Sequence, residues 1–306
     1  MTAPSRTAKG PRKAVVHIGM PKTGTTSIQA WLYGNVPELS RQGIYFNRLP
    51  LTRARSMEHA EVVVCQFAEA GLLVPNDRMR YIFGIKSLDD QKAVAEKYSE
   101  IFRKALSKAN EHTVLLSVED VGGMTRTKAQ VEGLERWLGR YFDEIRYIIY
   151  FRRQEDWLVS AYSQMIKTGR TMTLEEYFEK RKERNYFQRL RAWETAIRED
   201  RLSVRLMERD ALRDGDLIAD FAYEAGIDPT RMKDQPRRNE SLSRAAGEYL
   251  RILNKKLREE GAEDPVNEPI YGGLIPFLGT TFAEAERFRL TQPQIDEIRS
   301  INAASN

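Results

Sequence analysis

Cysteine is almost absent from this chain of 306 residues, which contains Cys65 and no other. A single thiol excludes a disulfide within the chain and a zinc site built from cysteines. Cys65 follows three valines, Val62–Val64, and precedes Phe67 by two residues. This apolar setting favours a small core residue over a reactive thiol.

Long apolar runs are missing as well. No segment contains the roughly 18 consecutive apolar residues that a transmembrane helix needs. The start of the chain, Met1–Lys13, is basic but lacks the apolar centre of a secretory signal. We therefore expect no transmembrane segment, a flexible basic tail over residues 1–12, and a cytoplasmic protein.

The excess of positive charge is small. The chain has 49 Lys and Arg against 44 Asp and Glu, a formal net charge of +5. Such a balance suits an anionic ligand but does not by itself indicate nucleic-acid binding. No basic stripe interleaved with aromatic residues is present, so we expect no nucleic-acid partner. The composition does not indicate an oligomeric state.

The most informative segment is a loop rich in glycine and threonine, His17–Ser27. It follows an apolar run, Ala14–Val16, and leads into Ile28–Leu32, which has the pattern of a helix. A strand, a glycine-rich turn and a helix together direct backbone N–H groups and a helix N-terminus at a phosphate. The segment therefore predicts a phosphate-binding loop.

This loop differs from that of nucleoside triphosphatases in one position. Gly19 and Gly24 keep the spacing of the two glycines in G-x-x-x-x-G-K-[ST]. Thr25, however, stands where that motif has its lysine, and the lysine of this loop is Lys22. The lysine with which a kinase binds a triphosphate is therefore not at its usual position in the loop.

With this displaced lysine, the loop resembles the 5′-phosphosulfate loop of sulfotransferases that use 3′-phosphoadenosine-5′-phosphosulfate (PAPS). An ordinary strand-to-helix turn capped by threonine is the alternative. The resemblance implies PAPS as co-substrate, with no metal required. It also implies that the donor is bound by the residues of the loop itself, Pro21, Lys22, Thr23, Gly24, Thr25, Thr26 and Ser27.

A second motif supports the same family. Arg146–Phe151 is a strand-type run that leads to Arg152, and Ser160 follows eight residues later. In the sulfotransferases an arginine and a serine at this spacing hold the 3′-phosphate of PAPS, and a guanidinium fork suits a phosphate. The chain departs from the family by having Arg153-Gln154 after the arginine and Trp157 in place of a second arginine. A buried arginine paired with a nearby acid is the alternative.

The resemblance implies specific catalytic roles. Lys22 would stabilise the leaving group, because charge builds on the bridging oxygen as the bond to sulfur breaks. His59 lies where the family generally has its base, and a neutral imidazole suits that role. Glu119, at the end of a strand in a Ser-x-Glu pattern, is the alternative base or an acceptor-positioning residue. His59 could instead be a solvated residue and Glu119 a helix cap.

A late basic pair, Arg237 and Arg238, resembles the loop that many sulfotransferases close over the nucleotide, although it could equally be a solvated charge run. The acceptor is not readable from the sequence. By analogy with bacterial carbohydrate sulfotransferase-like proteins, we expect a hydroxyl or amine acceptor, a glycan or glycolipid.

The alternation of strands and helices predicts an α/β fold. We expect a P-loop-like, doubly wound parallel sheet flanked by helices, because helical crossovers of this length join parallel strands. Residues 13–306 would form a single domain with helical additions, mainly helix and loop from about residue 241. The predicted strands are Ala14–Ile18, Ile44–Phe46, Thr113–Val118, Tyr147–Phe151 and Ser203–Leu206. Residues 48–86 are predicted to be irregular, and Gly261–Thr281 to be a long loop.

Two other functions remain compatible with the sequence. A small-molecule kinase is one, because Glu119-Asp120 after an apolar strand could imitate a metal-binding acidic pair. A non-catalytic nucleotide-binding protein that kept the fold is the other.

Overall fold

The computed structural model describes residues 13–47, 49, 59–234 and 242–305. The predicted tail and the pair Arg237 and Arg238 lie outside the described residues. The chain divides into two compact units. The first comprises Met1–Phe151 and Gln188–Pro236, and the second comprises Arg152–Phe187 and Arg237–Asn306.

The first unit contains a five-stranded sheet in the order β2-β3-β1-β4-β5. All four neighbouring pairs are parallel, which confirms the predicted α/β fold. The strands are β1 Lys13–Ile18, β2 Ile44–Tyr45, β3 Thr113–Val118, β4 Glu144–Phe151 and β5 Leu202–Leu206. Strand β1 lies at the centre, so the loop that follows it leaves the middle of the sheet.

The helices account for most of the remaining described residues. They are α1 Thr25–Gly34, α2 Val36–Arg41, α3 Glu61–Glu69, α4 Asp77–Phe83, α5 Leu88–Leu106, α6 Glu119–Met124, α7 Lys128–Leu138, α8 Gln154–Lys167, α9 Leu174–Arg181, α10 Tyr186–Glu194, α11 Leu217–Ala225, α12 Arg244–Glu259, α13 Leu274–Thr281 and α14 Gln292–Asn302. Short 3-10 helices occur at Glu199–Arg201, Arg213–Gly215, Pro229–Arg231, Pro265–Asn267, Pro269–Tyr271 and Ala303–Ser305.

Capping boxes fix the starts of four helices. In each, a Ser or Thr hydroxyl accepts from the backbone N–H three residues later, and that residue's side chain accepts from the cap in return. The caps are Ser87, Thr127, Thr173 and Thr291.

Helices cover both faces of the sheet in the first unit. Side chains alternate between the faces of a strand. Val15, Leu115 and Ile148 belong to a buried cluster with residues of α1 and α11. On the opposite face, the Tyr147 hydroxyl donates to the Glu135 carboxylate of α7. Because both faces are buried, β1 and β3 are continuous apolar runs rather than alternating ones.

The second unit has its own apolar core. Helix α8 contributes Trp157, Leu158, Tyr162 and Ile166 to a buried cluster with residues of α9, α12, α13 and α14. The edge of Tyr162 meets the ring of Phe288 at a centroid distance of 4.9 Å. No helix among the described residues is both long and apolar enough to cross a bilayer.

Two predictions of irregular structure were wrong in part. The described part of residues 48–86 contains α3 and α4, and Gly261–Thr281 contains two 3-10 helices and α13. Helix α3 forms from a run of valines with low helix propensity because it packs between α5 and α7, which buries Val62, Val63 and Val64 completely. Tertiary burial outweighs local preference in this segment.

Candidate functional site

The loop after β1 folds into a tight turn. The Thr23 hydroxyl and backbone N–H both donate to Met20 O, at 2.7 and 3.3 Å. Lys22 and Gly24 have φ values of 70° and 78°, in the left-handed region. This region is disfavoured for a side chain such as that of Lys22, so the turn is fixed by its surroundings rather than by local preference.

The start of α1 has free hydrogen-bond donors. Gly24 O accepts from Ser27 and Ile28 N–H at 2.9 and 3.1 Å. The N–H groups of Gly24, Thr25 and Thr26 donate to no residue that the structure describes. The Thr25 hydroxyl is buried and has no hydrogen-bond partner among the described residues. Buried polar atoms are normally satisfied, so this cluster of donors suits an anionic ligand.

Close packing holds the loop against α6. A Cβ on Gly19 would lie 2.6 Å from the Cα of Glu119 and 2.9 Å from Thr25 Oγ1. A Cβ on Gly122 would lie 2.2 Å from Gly19 O. Neither position accepts a side chain without a backbone shift. The absence of Cβ atoms here lets the first residue of α6 approach the phosphate-binding turn.

Glu119 is the acid next to the loop. Its carboxyl is half-buried, and burial raises its pKa above the usual range for glutamate. The Lys22 ammonium opposes the rise and the Asp120 carboxylate adds to it. Burial also raises the pKa of Asp120. A carboxylate with a raised pKa is a stronger base than an ordinary glutamate, which suits it to accepting a proton.

A buried polar cluster lies beneath the loop, formed by His17, Gln29, His59 and Ser117. His17 Nδ1 is 2.9 Å from the Ser117 hydroxyl, and the Gln29 amide donates to the same hydroxyl at 3.3 Å. Burial lowers the pKa of His17 to about 3, so this ring is neutral. The cluster joins β1, β3 and α1 at the base of the loop.

His59 belongs to this cluster and not to the surface. Its side chain is 1% exposed. Its Nδ1 lies 3.2 Å from Ser117 O, and its Nε2 lies 3.0 Å from Asn47 O. Nδ1 also accepts from the Ser117 backbone N–H at 3.4 Å, so backbone groups of Ser117 and Asn47 hold both ring nitrogens. This geometry ties β3 to the chain after β2, and it leaves Glu119 as the more accessible of the two candidate bases.

The second predicted motif lies in the second unit. Arg152 directly follows β4 and is half-exposed, and its backbone carbonyl accepts from the Tyr186 hydroxyl at 2.7 Å. Ser160 lies in α8 and is also half-exposed. Trp157, in the first turn of α8, carries the Arg184 guanidinium over its ring at 3.6 Å. Arg184 is a residue that the sequence motifs did not reveal, although the tryptophan at an arginine position was a signal.

The predicted residues are thus distributed over both units. The first unit brings the loop, Pro21–Ser27, together with Glu119, and it holds His59 below them. Arg152 and Ser160 belong to the second unit. Among the described residues, no group of three or more His, Cys, Asp or Glu is arranged to hold a metal ion.

Comparisons with known proteins give limited information. No protein-family model matches the chain. Over 111 residues the chain is 32% identical to an uncharacterized protein of Archaeoglobus fulgidus. This segment is 36% of the chain and 30% of the Archaeoglobus protein, so the chain spans less than a third of that relative.

Two solved structures are similar in outline. A sulfotransferase from Alicyclobacillus acidocaldarius has a TM-score of 0.43 and 15% identity, covering 93% of this chain and 98% of its own. The sulfotransferase domain from the curacin biosynthetic pathway has a TM-score of 0.37 and 10% identity, covering 96% of this chain and 98% of its own. Both likenesses are too low to carry an argument about function, which must come from the residues.

Proposed function

We propose that this protein is a PAPS-dependent sulfotransferase that moves a sulfonate group to a hydroxyl or amine of an acceptor. The observation that carries the proposal is the loop after the central strand. It combines a buried, unpartnered Thr25 hydroxyl with three N–H groups that donate to no described residue. These donors fit the 5′-phosphosulfate of the donor, which offers several acceptor oxygens.

The position of the cation favours sulfonate transfer over phosphoryl transfer. In a nucleoside triphosphatase the lysine after the second glycine reaches the β- and γ-phosphates. That position is Thr25 here, and its hydroxyl is 3% exposed within the turn. Lys22 lies earlier in the turn and acts electrostatically on Glu119. It is thus within electrostatic range of the acid that borders the loop.

The reaction requires one bond to break and one to form. The bond from sulfur to the bridging oxygen of PAPS breaks, and its electron pair stays on the 5′-phosphate, where Lys22 and the loop N–H groups stabilise the charge. The acceptor oxygen forms the new bond to sulfur and loses its proton. We assign that proton to the Glu119 carboxylate, because the His59 ring is buried and both of its nitrogens contact backbone groups of Ser117 and Asn47.

Arg152 and Ser160 are proposed to bind the 3′-phosphate, which distinguishes PAPS from simpler adenine nucleotides. A guanidinium provides parallel donors to a phosphate, and a serine adds a neutral one. For the acceptor we propose a glycan or glycolipid. Its hydroxyl would have to reach Glu119.

The proposal is tested by sulfonate transfer itself. The protein is incubated with ³⁵S-labelled PAPS and glycans or glycolipids from a cell extract, and labelled products are identified by mass spectrometry. We expect a labelled acceptor whose formation is inhibited by adenosine 3′,5′-bisphosphate, the product of the donor. Labelling that this product does not inhibit contradicts the assignment. So does a folded preparation that labels no acceptor.

A further inference from the structure

One half-buried cation in the second unit, Arg184, has no carboxylate partner among the described residues. The Arg184 guanidinium lies 3.6 Å above the ring of Trp157 and 5.3 Å from that of Tyr186. Its Nε donates to the Tyr186 hydroxyl at 3.2 Å. The group is therefore enclosed by two aromatic rings. Burial lowers the pKa of Arg184, which reflects the loss of water around its charge.

No carboxylate among the described residues pairs with Arg184. Two acids of the second unit pair with other cations. Glu155 accepts from Arg299 at 2.9 Å, and Glu297 accepts from Lys182 at 2.6 Å. Buried charges in proteins are normally paired, because an unpaired one loses its hydration without compensation. Among the described residues Arg184 has no anionic partner, so its guanidinium can accept an anionic ligand.

The segment that carries Arg184 is held in place. The buried Asn302 side chain accepts from Arg184 N–H at 2.7 Å and donates to Lys182 O at 2.8 Å. Two hydrogen bonds from α14 thus fix the backbone on both sides of residue 183. A guanidinium with a fixed backbone and a stacked plane loses little entropy when it binds a ligand, which favours a binding role.

Arg184 is also connected to Arg152. The Tyr186 hydroxyl accepts from Arg184 Nε and donates to Arg152 O at 2.7 Å, so one hydroxyl joins the two arginines. Trp157 stands where the related motif has a second arginine. The stacked guanidinium brings a positive charge to the face of that tryptophan. A cation missing from the motif in the sequence is thereby supplied by a residue 27 positions later.

We propose that Arg184 binds the 3′-phosphate of the donor together with Arg152, and that Trp157 and Asn302 position it for this contact. The proposal rests on the proposed function, since it assumes a donor that carries a 3′-phosphate. It adds a binding residue that no sequence motif contains.

The test compares two nucleotides that differ by the 3′-phosphate. Affinities of the full chain for adenosine 3′,5′-bisphosphate and for 5′-AMP are measured by calorimetry, in wild type and in Arg184→Ala. Loss of a charge-assisted contact should weaken bisphosphate binding by about tenfold to a hundredfold and leave 5′-AMP binding unchanged. The matched control is Arg170→Ala, an exposed arginine of the second unit, which should keep wild-type affinity for both nucleotides.

A second variant covers the case in which Arg184→Ala does not fold. Arg184→Lys keeps the charge but loses the planar fork, and we expect an intermediate loss for the bisphosphate alone. Thermal unfolding with and without each nucleotide reports the same preference, because a ligand that binds the folded state raises its melting temperature.

The outcomes separate this inference from the function on which it rests. If the wild type prefers the bisphosphate but Arg184→Ala and Arg184→Lys keep that preference, the role of Arg184 is wrong and the sulfotransferase proposal stands. An equal loss for both nucleotides also overturns the role of Arg184, because it indicates a structural effect. If the wild type itself shows no preference, both proposals fail.

Discussion

At the scale of single residues, the phosphate-binding turn depends on side chains with unusual positions. Lys22 adopts a left-handed backbone conformation that a lysine rarely takes, and Thr25 has a buried hydroxyl without a partner. Both features cost free energy in the folded protein. The anionic ligand proposed above would offset these costs by contacts with the turn.

Replacing Lys22 should therefore abolish turnover without unfolding the protein. For Lys22→Ala we expect a loss of about 100- to 1000-fold in kcat, the usual effect of removing one donor that stabilises the charge of a transition state. Circular dichroism checks the fold, and Lys128→Ala, an exposed lysine of α7, is the control. Turnover of Lys22→Ala close to that of the wild type would remove the leaving-group role.

The identity of the base is tested by the pH dependence of kcat. A base must be deprotonated to act, so activity falls below its pKa. Because burial raises the pKa of Glu119, its acidic limb should lie above the ordinary glutamate range of about 4.3, and Glu119→Gln should lose most activity.

The matching variant, His59→Gln, preserves hydrogen-bonding capacity within the buried cluster. We expect it to lower stability more than kcat. If His59→Gln keeps full stability but loses all turnover, while Glu119→Gln remains active, then His59 is the base.

The sequence revealed the residues of the turn but not the surroundings of the candidate bases. The spacing of Gly19 and Gly24 and the displaced Lys22 are local, so they could be read directly. The burial of His59 depends on backbone oxygens of Ser117 and Asn47, and the first of these is 58 positions away. Arg184 reaches Trp157 by folding alone, so no spacing rule could have assigned it.

At the scale of elements, the strand bounds were predicted well and the irregular segments poorly. Strand β3 was predicted at its observed bounds, because a buried parallel strand is a short apolar run between polar residues. Helix α3 begins with valines that favour strands, and α13 contains a glycine and a proline. Both are helical because packing outweighs propensity, which local sequence does not encode.

The close packing at the junction of β1 and α1 can be tested by comparing alanine variants of two glycines. Gly24 and Gly71 both have positive φ, 78° and 70°. A Cβ on Gly24 would lie 2.2 Å from Leu217 Cδ2, whereas a Cβ on Gly71 would meet nothing within 4 Å. Both Gly→Ala variants carry the left-handed penalty of about 1–2 kcal/mol.

Gly24→Ala should lose more stability than Gly71→Ala in urea unfolding, because Leu217 must also move. It should also weaken binding of adenosine 3′,5′-bisphosphate, which Gly71→Ala should not affect. Equal losses of stability, with unchanged nucleotide affinity in both variants, would show that the close packing of this turn has no role in binding.

At the scale of the whole molecule, the two acids beside the loop, Glu119 and Asp120, should lower the free energy of unfolding at neutral pH. Burial raises the pKa of Glu119 and Asp120, so the folded state holds their protons more tightly than the unfolded state. Stability then falls as pH rises through the window above the unfolded pKa values. Glu119→Gln and Asp120→Asn remove this loss.

Both variants should therefore have higher melting temperatures than the wild type at pH 7, and the difference should disappear near pH 3, below the unfolded pKa values of Glu and Asp of about 4.3 and 3.9. Calorimetry at the two pH values measures it. Melting temperatures at pH 7 equal to or below that of the wild type would show that these carboxylates do not destabilise the fold.

The central claim, that the chain binds a 3′-phosphorylated sulfonate donor, is tested most directly by calorimetric titration with adenosine 3′,5′-bisphosphate in the presence of EDTA. The account predicts binding without magnesium, tighter than that of 5′-AMP, and a loss of this preference in Arg152→Ala. Binding of ATP that requires magnesium, with no binding of the bisphosphate, would contradict it and indicate an enzyme that uses nucleoside triphosphates.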